Sequence, residues 1–501
     1  MVTSYQSRPL KIMVANRGEI AMRVFRAIRE LGHIPVAVYS KADRTSLHVG
    51  LAEHAMCIGD GPSLQSYLNS DRVLDAARKM KVDCIHPGYG FLSEKADFAK
   101  RVAEEGFLLV GPRAEHMASM GDKVMARKTM AQAGLPIVAG TEGGVTEEQE
   151  ALHFAHQIGY PLMIKALAGG GGRGMRLVEK SEDFLSLFRR AQSEAQQGFN
   201  DNRLYLERFV RSPHHIEVQI IADAHGRVCH LLDRECSVQR RHQKILEEAQ
   251  SPYLSPSARE KLLAAAVDAI KKLGYVNAGT IEFLVDDSQN FYFMEMNTRL
   301  QVEHPITEWI TGIDIVKEQI RVALGEPLSF SQDDVKPRGH ALEMRICAED
   351  PERFLPQSGL VKNVRFPSGM GVRVDSHLYS GYEIPMFYDS MIAKLSVWGR
   401  DRTEAIARAL AALEETRIGG IKTNIPVHQQ LLRNETFLSG NYTTQLVGGA
   451  FHFSPRALRD KDWQGALVAA ALLAYQRESV FDNSKDERSC WRDAGRREAT
   501  Q

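Results

Sequence analysis

Gly279-Thr-Ile-Glu282-Phe-Leu-Val-Asp286 and Phe291-Tyr-Phe-Met-Glu295-Met-Asn297 are two β-prone runs on either side of a polar turn, Asp287 to Asn290. If Asp286 pairs with Phe291 across that turn, antiparallel register sets Glu282 directly opposite Glu295. Facing carboxylates destabilise a sheet unless a positive charge lies between them. Asn297 lies two residues beyond Glu295 and shares its face. Two carboxylates and an amide oxygen suit Mg2+ or Mn2+, which in turn would grip phosphate groups.

The alternation runs on. Glu295, Asn297, Arg299, Gln301 and Glu303 hold every odd position, and Met296, Leu300 and Val302 fill intervening ones. If the segment stays extended, one edge carries metal ligands, then a cation, an amide and a further carboxylate. The commoner meaning of such a pattern is the solvated face of an amphipathic strand. Aromatic and methionine flanks argue against a face that simply meets bulk water.

Upstream, Leu162-Met-Ile-Lys165 reads as a strand closed by lysine, and Met175-Arg-Leu-Val178 as a second strand. Between them, Ala168-Gly-Gly-Gly-Gly-Arg-Gly174 lets backbone N–H groups approach an anion, with lysine as a compact charge. A flexible hairpin tip is the plain alternative. No Gly-Lys-Ser/Thr closes the loop, so it is not a Walker A loop.

Nearer the start, Lys11-Ile-Met-Val-Ala15 predicts a strand, Ile20 to Leu31 a helix stopped by Gly32, and Pro35-Val-Ala-Val-Tyr39 another strand. This order predicts a doubly wound α/β unit, and its single turn glycine excludes a dinucleotide fingerprint. Asp83 to Gly90 is expected to end that unit's sheet. Lys123 to Ala133 predicts a helix, Pro327 to Gly339 a linker, and His340 to Leu446 a strand-rich segment. The 501 residues suggest two to four domains. Lys+Arg and Asp+Glu both number 63, so no global charge draws the chain to nucleic acid or an anionic membrane. Six scattered cysteines, with no CxxC pair, read as reduced thiols in a cytoplasmic protein. Met1 to Pro9 lacks the apolar core of a signal peptide, and Ala466 to Tyr475 is too short to span a bilayer.

With these runs in place, the chain resembles the biotin carboxylase family. The residues that carry the resemblance are Ala15-Asn-Arg-Gly-Glu-Ile-Ala21, His86-Pro-Gly-Tyr-Gly-Phe-Leu-Ser-Glu94, Gly121-Asp-Lys123, Gln239-Arg-Arg-His-Gln-Lys244, Glu295-Met-Asn-Thr-Arg299, Gln301-Val-Glu-His-Pro305 and Ala348-Glu-Asp-Pro351. The resemblance implies an α/β and α+β multidomain fold. A Rossmann-like domain would span 1–120, an ATP-grasp domain 121–326 with a mobile glycine-rich lid at about 136–208, and a mixed, β-rich C-terminal domain 338–446. Residues 450–501 would form a helical tail suited to partner docking. Its stripe would be Leu467, Ala470, Ala471 and Ala474 after Trp463, with Trp491, Arg492, Arg496 and Arg497 beyond.

The same resemblance implies site roles. Lys123 and Lys165 would hold ATP phosphates, and Gly171 and Gly172 the lid backbone. Glu207, Arg208, Phe209 and Val210 would form the adenine hinge, near His215, Gln239 and His242. Glu282, Glu295 and Asn297 would take two Mg2+ or Mn2+ ions. Lys244, Arg299, Gln301 and Val302 would bind bicarbonate, with Glu303 as general base and Arg345 facing the biotin enolate. By pattern alone, Arg345, Glu349 and Asp350 could equally be a surface cluster, Lys244 could merely pair with Glu247 and Glu248, and His86 and His304 read as structural. Ala168 and Gln250 stand where the family usually has glycine and proline.

The implied partners are a separate biotin carboxyl carrier protein, a second copy in a homodimer, and a carboxyltransferase subunit. Met80-Lys81-Val82, the only Met-Lys-hydrophobic sequence, falls in an apparent helix, and no carrier domain is expected after residue 450. An acyl-CoA (acetyl- or propionyl-CoA) carboxylase is the leading context. The alternatives are a two-subunit pyruvate carboxylase or another ATP-grasp ligase.

Overall fold

Strand β1 (Lys11–Val14) is the middle of a five-stranded parallel sheet in this computed structural model. Its neighbours are β2 (Ile34–Ser40), β3 (His54–Gly59), β4 (Cys84–His86) and β5 (Leu108–Leu109), in the order β3-β2-β1-β4-β5. Ile12, Met13 and Val14 are all buried, the continuous apolar run of a strand covered on both faces. Helix α1 (Gly18–Glu30) packs Ile20, Val24, Ala27 and Ile28 into the same core. Gly18 has φ +66°, and a Cβ there would meet the His377 ring at 3.3 Å, so only glycine fits. The sheet does not end at the Asp83–Gly90 junction: β5 adds a further edge strand beside β4.

The structure describes residues 8–141, 143–167, 175–199, 201–455, 465, 467–473 and 475. Two units are distinguished, Met1–Phe453 and Ser454–Gln501. In the second, Leu467, Ala470 and Ala471 are helical and exposed; Trp463, Ala474 and the stretch from Trp491 to Arg497 lie outside the described residues. No helix among the described residues is long and apolar enough to cross a membrane.

Strands β6 (Leu162–Ala166), β7 (Met175–Val178) and β8 (Leu204–Arg208) form a separate antiparallel sheet, β7-β6-β8. It has its own core, in which Leu162 and Ile164 meet Phe184 and Phe188. The loop that joins β6 to β7, with Ala168, Gly171 and Gly172, lies outside the described residues.

The largest sheet contains β9 (His214–Ala222), β10 (Val228–Arg240), β11 (Gln243–Ala249), β12 (Asn277–Val285), β13 (Phe291–Asn297) and β14 (His340–Cys347). Its order is β13-β12-β9-β10-β11-β14, continued by Met391–Gly399 and Val372–Ser376. The strand-rich C-terminal segment is therefore joined to the middle region by backbone pairing, with Leu246 opposite Met344 and Glu247 opposite Glu343. Residues 327–339 are not a loose linker, because Leu328, Phe330 and Val335 are buried. Lys81 is not inside a helix; it caps Ser70–Met80 in a left-handed conformation, φ 52°.

The hairpin differs from the expected register at its turn. Val285, not Asp286, pairs with Phe291. Asp286 instead organises the turn, its Oδ1 accepting from the Ser288 and Asn290 backbone N–H groups at 3.0 and 2.8 Å. A register shift between Phe283 and Glu282 leaves Met294 as an extra residue on β13, and Glu282 opposite Glu295 after all.

Buried charges tie α1 to the C-terminal strands. Arg23 donates to Glu308 Oε1 at 2.7 Å and Asp314 at 2.6 Å, and Arg373 donates to Glu308 Oε2 at 2.7 Å. Burial pushes the Glu308 carboxyl up, but Arg23 and Arg373 outweigh it and hold it below its ordinary value of 4.5. A depressed carboxylate contributes its full stability above that ordinary value and loses it as pH falls through the folded value. Glu308→Ala takes the shared carboxylate from two buried guanidiniums, leaving Arg23 with Asp314 and Arg373 with Asp375, and should cost about 2–3 kcal/mol at neutral pH, below the range for a wholly unpaired charge. The deficit should shrink in acid. Urea midpoints at the two pH values check this, and an equal deficit at both contradicts it.

Candidate active site

One rung of the large sheet sets up the site. Arg234 of β10, Glu217 of β9, Glu282 of β12 and Glu295 of β13 are successive cross-strand partners. Three carboxylates in a row need compensation. Arg234, fully buried, donates Nε to Glu217 at 2.5 Å and Nη1 to Gln219 and Thr307 at 2.8 and 2.9 Å. Lys244 supplies the rest: its Nζ donates to Glu217 at 2.6 Å, Glu303 at 2.7 Å and Glu282 at 2.9 Å.

Lys244 reaches this point because β10 reverses sharply. Arg241 and His242 adopt φ of 50° and 66°, the two-residue left-handed turn that suits a tight hairpin. Gln239 then faces Lys244 across the ladder and bonds the His215 ring at 2.8 Å. His215 Nε2 lies 2.9 Å from Glu282. Lys244 thus bonds neither Glu247 nor Glu248, the acids just after it in sequence. Glu248 binds His340, Arg402 and Tyr442, and Glu247 binds Arg345.

After Asn297 the chain leaves the sheet, so the expected extended edge stops there. The odd-numbered side chains nevertheless converge. Arg299 donates to Asn297 Oδ1 at 2.8 Å and Gln301 Oε1 at 3.0 Å; Asn297 and Gln301 donate to Glu282 at 2.9 and 3.0 Å. Glu303 stands at the N-cap position of His304–Thr311, where the helix dipole favours an anion, although its side chain makes no capping bond. Its Oε1 takes Lys244 and its Oε2 takes Arg345 Nη2 at 2.9 Å. Arg345 is therefore no surface charge, and Asp350 is elsewhere, paired with Lys422 at 2.6 Å. Glu349 is buried against Arg240. His86 and His304 are buried, each bonded to nearby backbone, at Gly88 N and Gln301 O.

These contacts polarise the carboxyls. Burial pushes Glu303 up, but Lys244, Arg345 and Arg234 hold it well below the usual range. Burial likewise raises Glu282, and Lys244 and His215 bring it far down. Glu295 goes the other way, raised by burial and by facing Glu282. Burial pushes Glu247 up to about 7, with Arg345 pulling against it.

A cleft of about 1990 Å3 joins this cluster to the separate sheet. Among the described candidates it is lined by Lys123, Lys165, Glu207, Arg208, Phe209, Val210, His215, Gln239, His242, Lys244, Glu282, Glu295, Asn297, Arg299, Gln301, Val302 and Arg345. Lys123 opens the helix Lys123–Ala133, capped by Asp122. Lys165 on β6 donates to Glu207 on β8. Glu303 is the exception: fully buried, it sits behind Lys244 and Arg345. The oxygen-rich set Glu282, Glu295 and Asn297 fits a hard divalent cation, because Glu295 faces Glu282 directly and burial with that like charge outweighs the cations nearby.

Sequence reasoning missed four members: Glu94, which receives Arg299 Nε at 2.9 Å, and Glu217, Arg234 and Glu247. Of these only Glu217 carried a signal, since His215, Glu217 and Gln219 alternate with Ile216, Val218 and Ile220.

Three family models match in order. They are "Biotin carboxylase, N-terminal domain" at residues 9–117, "Carbamoyl-phosphate synthase L chain, ATP binding domain" at 122–331 and "Biotin carboxylase C-terminal domain" at 343–448. A biotin carboxylase of Nostoc sp. is 53% identical over 438 residues, 87% of this chain and 98% of that protein. A pyruvate carboxylase subunit of Methanothermobacter thermautotrophicus is 52% identical over 438 residues, 87% of this chain and 89% of that one. The solved biotin carboxylase–β,γ-ATP complex of Campylobacter jejuni superposes with a TM-score of 0.82 at 45% identity, covering 87% of this chain and 98% of that one. This is the architecture of an ATP-grasp ligase with flanking N- and C-terminal domains. The chain belongs to the biotin carboxylase family of ATP-dependent ligases.

Proposed function

We propose that the protein uses ATP and bicarbonate to carboxylate biotin on a separate carrier protein. The observation that carries this reading is the clamp on Glu303: one buried carboxylate held by Lys244 and Arg345, which themselves line the cleft. Bicarbonate is a poor nucleophile until it loses its proton, and a buried carboxylate beside fixed cations can both take that proton and hold the anion. Lys244, Arg299, Gln301 and the Val302 backbone are the groups that would hold bicarbonate. As found, Glu303 is too weak a base. An anion that shares Lys244 and Arg345 would release part of their hold and raise Glu303 toward the working range.

On the nucleotide side, Lys123 and Lys165 would neutralise charge spreading over the transferring phosphoryl group, with Gly171 and Gly172 as further donors. Glu207 to Val210, with His215, Gln239 and His242, would seat the base. Glu282, Glu295 and Asn297 would hold Mg2+ or Mn2+, which when bound supplies positive charge at the phosphates. Carboxyphosphate formed in this cleft breaks down to CO2 and phosphate, and the phosphate can take the ureido proton of biotin. Arg345, which cannot deprotonate, would then face the enolate oxygen.

An acyl-CoA carboxylase is the context suggested by the motifs. A 2-oxo acid carboxylase has support of its own: the 52% identity to the Methanothermobacter pyruvate carboxylase subunit, and a TM-score of 0.82 to a Hydrogenobacter thermophilus 2-oxoglutarate carboxylase biotin carboxylase domain. That domain was solved as a dimer with MgADP, ADP and bicarbonate, which supports a homodimer here too. The expected result is phosphate release that requires bicarbonate and Mg2+ and rises with free biotin. Release indifferent to bicarbonate would sink the reading. Copurification of the carrier and carboxyltransferase subunits identifies the acceptor.

A further inference from the structure

Arg345 is gripped by two carboxylates, and on the reading above only one of them can keep its grip through turnover. Glu303 accepts from Nη2 at 2.9 Å, and it must give that bond up as it takes the bicarbonate proton. Glu247 accepts from Nε at 2.6 Å and is fully buried. β11 sets Glu247 opposite Glu343 of β14, two residues from Arg345, so all three side chains share one sheet face. Glu343 does not compete for the guanidinium: neither of its carboxyl oxygens meets a hydrogen-bond donor among the described residues. Burial, with Glu247 and Glu303 nearby, also pushes its carboxyl well up. The Arg345 backbone is fixed independently, its carbonyl accepting from Asn424 Nδ2 at 2.8 Å and His428 Nε2 at 3.0 Å.

We propose that Glu247 is the positioning residue for Arg345, holding the guanidinium at Nε while Glu303 exchanges its Nη2 contact for bicarbonate. Loss of Glu247 then leaves the backbone in place and the fork free to swing. An error of about 1 Å in a group aimed at a reacting atom can cost about 10²-fold in rate.

The test separates the two half-processes. Glu247→Gln keeps the shape and removes the charge. Its kcat for carboxylation of free biotin should fall about 10²-fold. The KM for ATP should stay at the parent's level, and bicarbonate-dependent phosphate release without biotin should fall far less than biotin carboxylation does. Glu247→Asp should recover part of the loss, and decides by the same criteria if the glutamine variant does not fold. In an Arg345→Ala background, Glu247→Gln should change nothing further, because it acts through Arg345. Unimpaired biotin carboxylation overturns the proposal. So does a further loss in the Arg345→Ala background, or a fall of both activities in step. A parent protein without bicarbonate dependence overturns the functional reading as well, which distinguishes the two failures.

Discussion

Glu303→Gln should lower bicarbonate-dependent ATP turnover by about 10²–10⁴, the range over which general-base groups act, and leave nucleotide affinity unchanged. Glu303 lies in the reacting cluster with Lys244 and Arg345, whereas Lys165 and the strand end at Glu207 lie on the other sheet. The glutamine fills the same space, so helix His304–Thr311 keeps its N-terminal residue. What disappears is the lone pair able to accept a proton and the charge that both cations contact. Phosphate release and nucleotide titration of one preparation measure the two quantities. An unimpaired variant places the base elsewhere.

Lys244→Met should be the most disruptive single change in the site. Lys244 is the one contact shared by Glu217, Glu282 and Glu303, and removal leaves three buried carboxylates short of positive charge. Breaking a buried pair from one side costs about 3–5 kcal/mol, and activity should vanish with it. The pH dependence identifies the cause. In the parent, Glu282 and Glu303 are held below their ordinary 4.5, so their contribution is full from neutral pH down to that value and is lost only below it. In the variant the loss of that cation raises both carboxyls from where it held them, against Arg345 and Arg234 at Glu303 and His215 at Glu282, so they destabilise at neutral pH and are relieved by protonation. Urea midpoints of variant and parent should therefore converge as pH falls from neutral. A constant gap would mean that Lys244 acts through packing alone.

Parts of this arrangement are legible in the sequence because their signals are local. β1 and the helix Lys123–Ala133 follow directly from periodicity and from the Asp122 and Gly134 caps. The pairing of Glu282 with Glu295 follows even from a turn register that is off by one residue, because the extra residue at Met294 cancels the difference. That bulge leaves no trace in sequence: Phe291, Tyr292, Phe293 and Met294 are all apolar or aromatic, so there is no alternation to break. Past Asn297 the odd-position pattern is right about membership and wrong about conformation. Glu247 is unreadable. It adjoins Glu248, and only the pairing of β11 with β14, almost a hundred residues later in the chain, gives the two acids different partners.

The pairing of β11 with β14 also bears on how the chain can be divided. The segments matched by separate family models meet at an unbroken ladder, so a cut between residues 331 and 340 leaves each fragment with a raw strand edge. Such edges seek any available partner, and fragments made there should aggregate or re-pair rather than stand alone. Among the described residues the β7-β6-β8 sheet shares no strand with the large one, and the outer edge of β8 is paired by residues 139–145, so a boundary that keeps 139–208 together opens no such edge. Insertions and labels belong there.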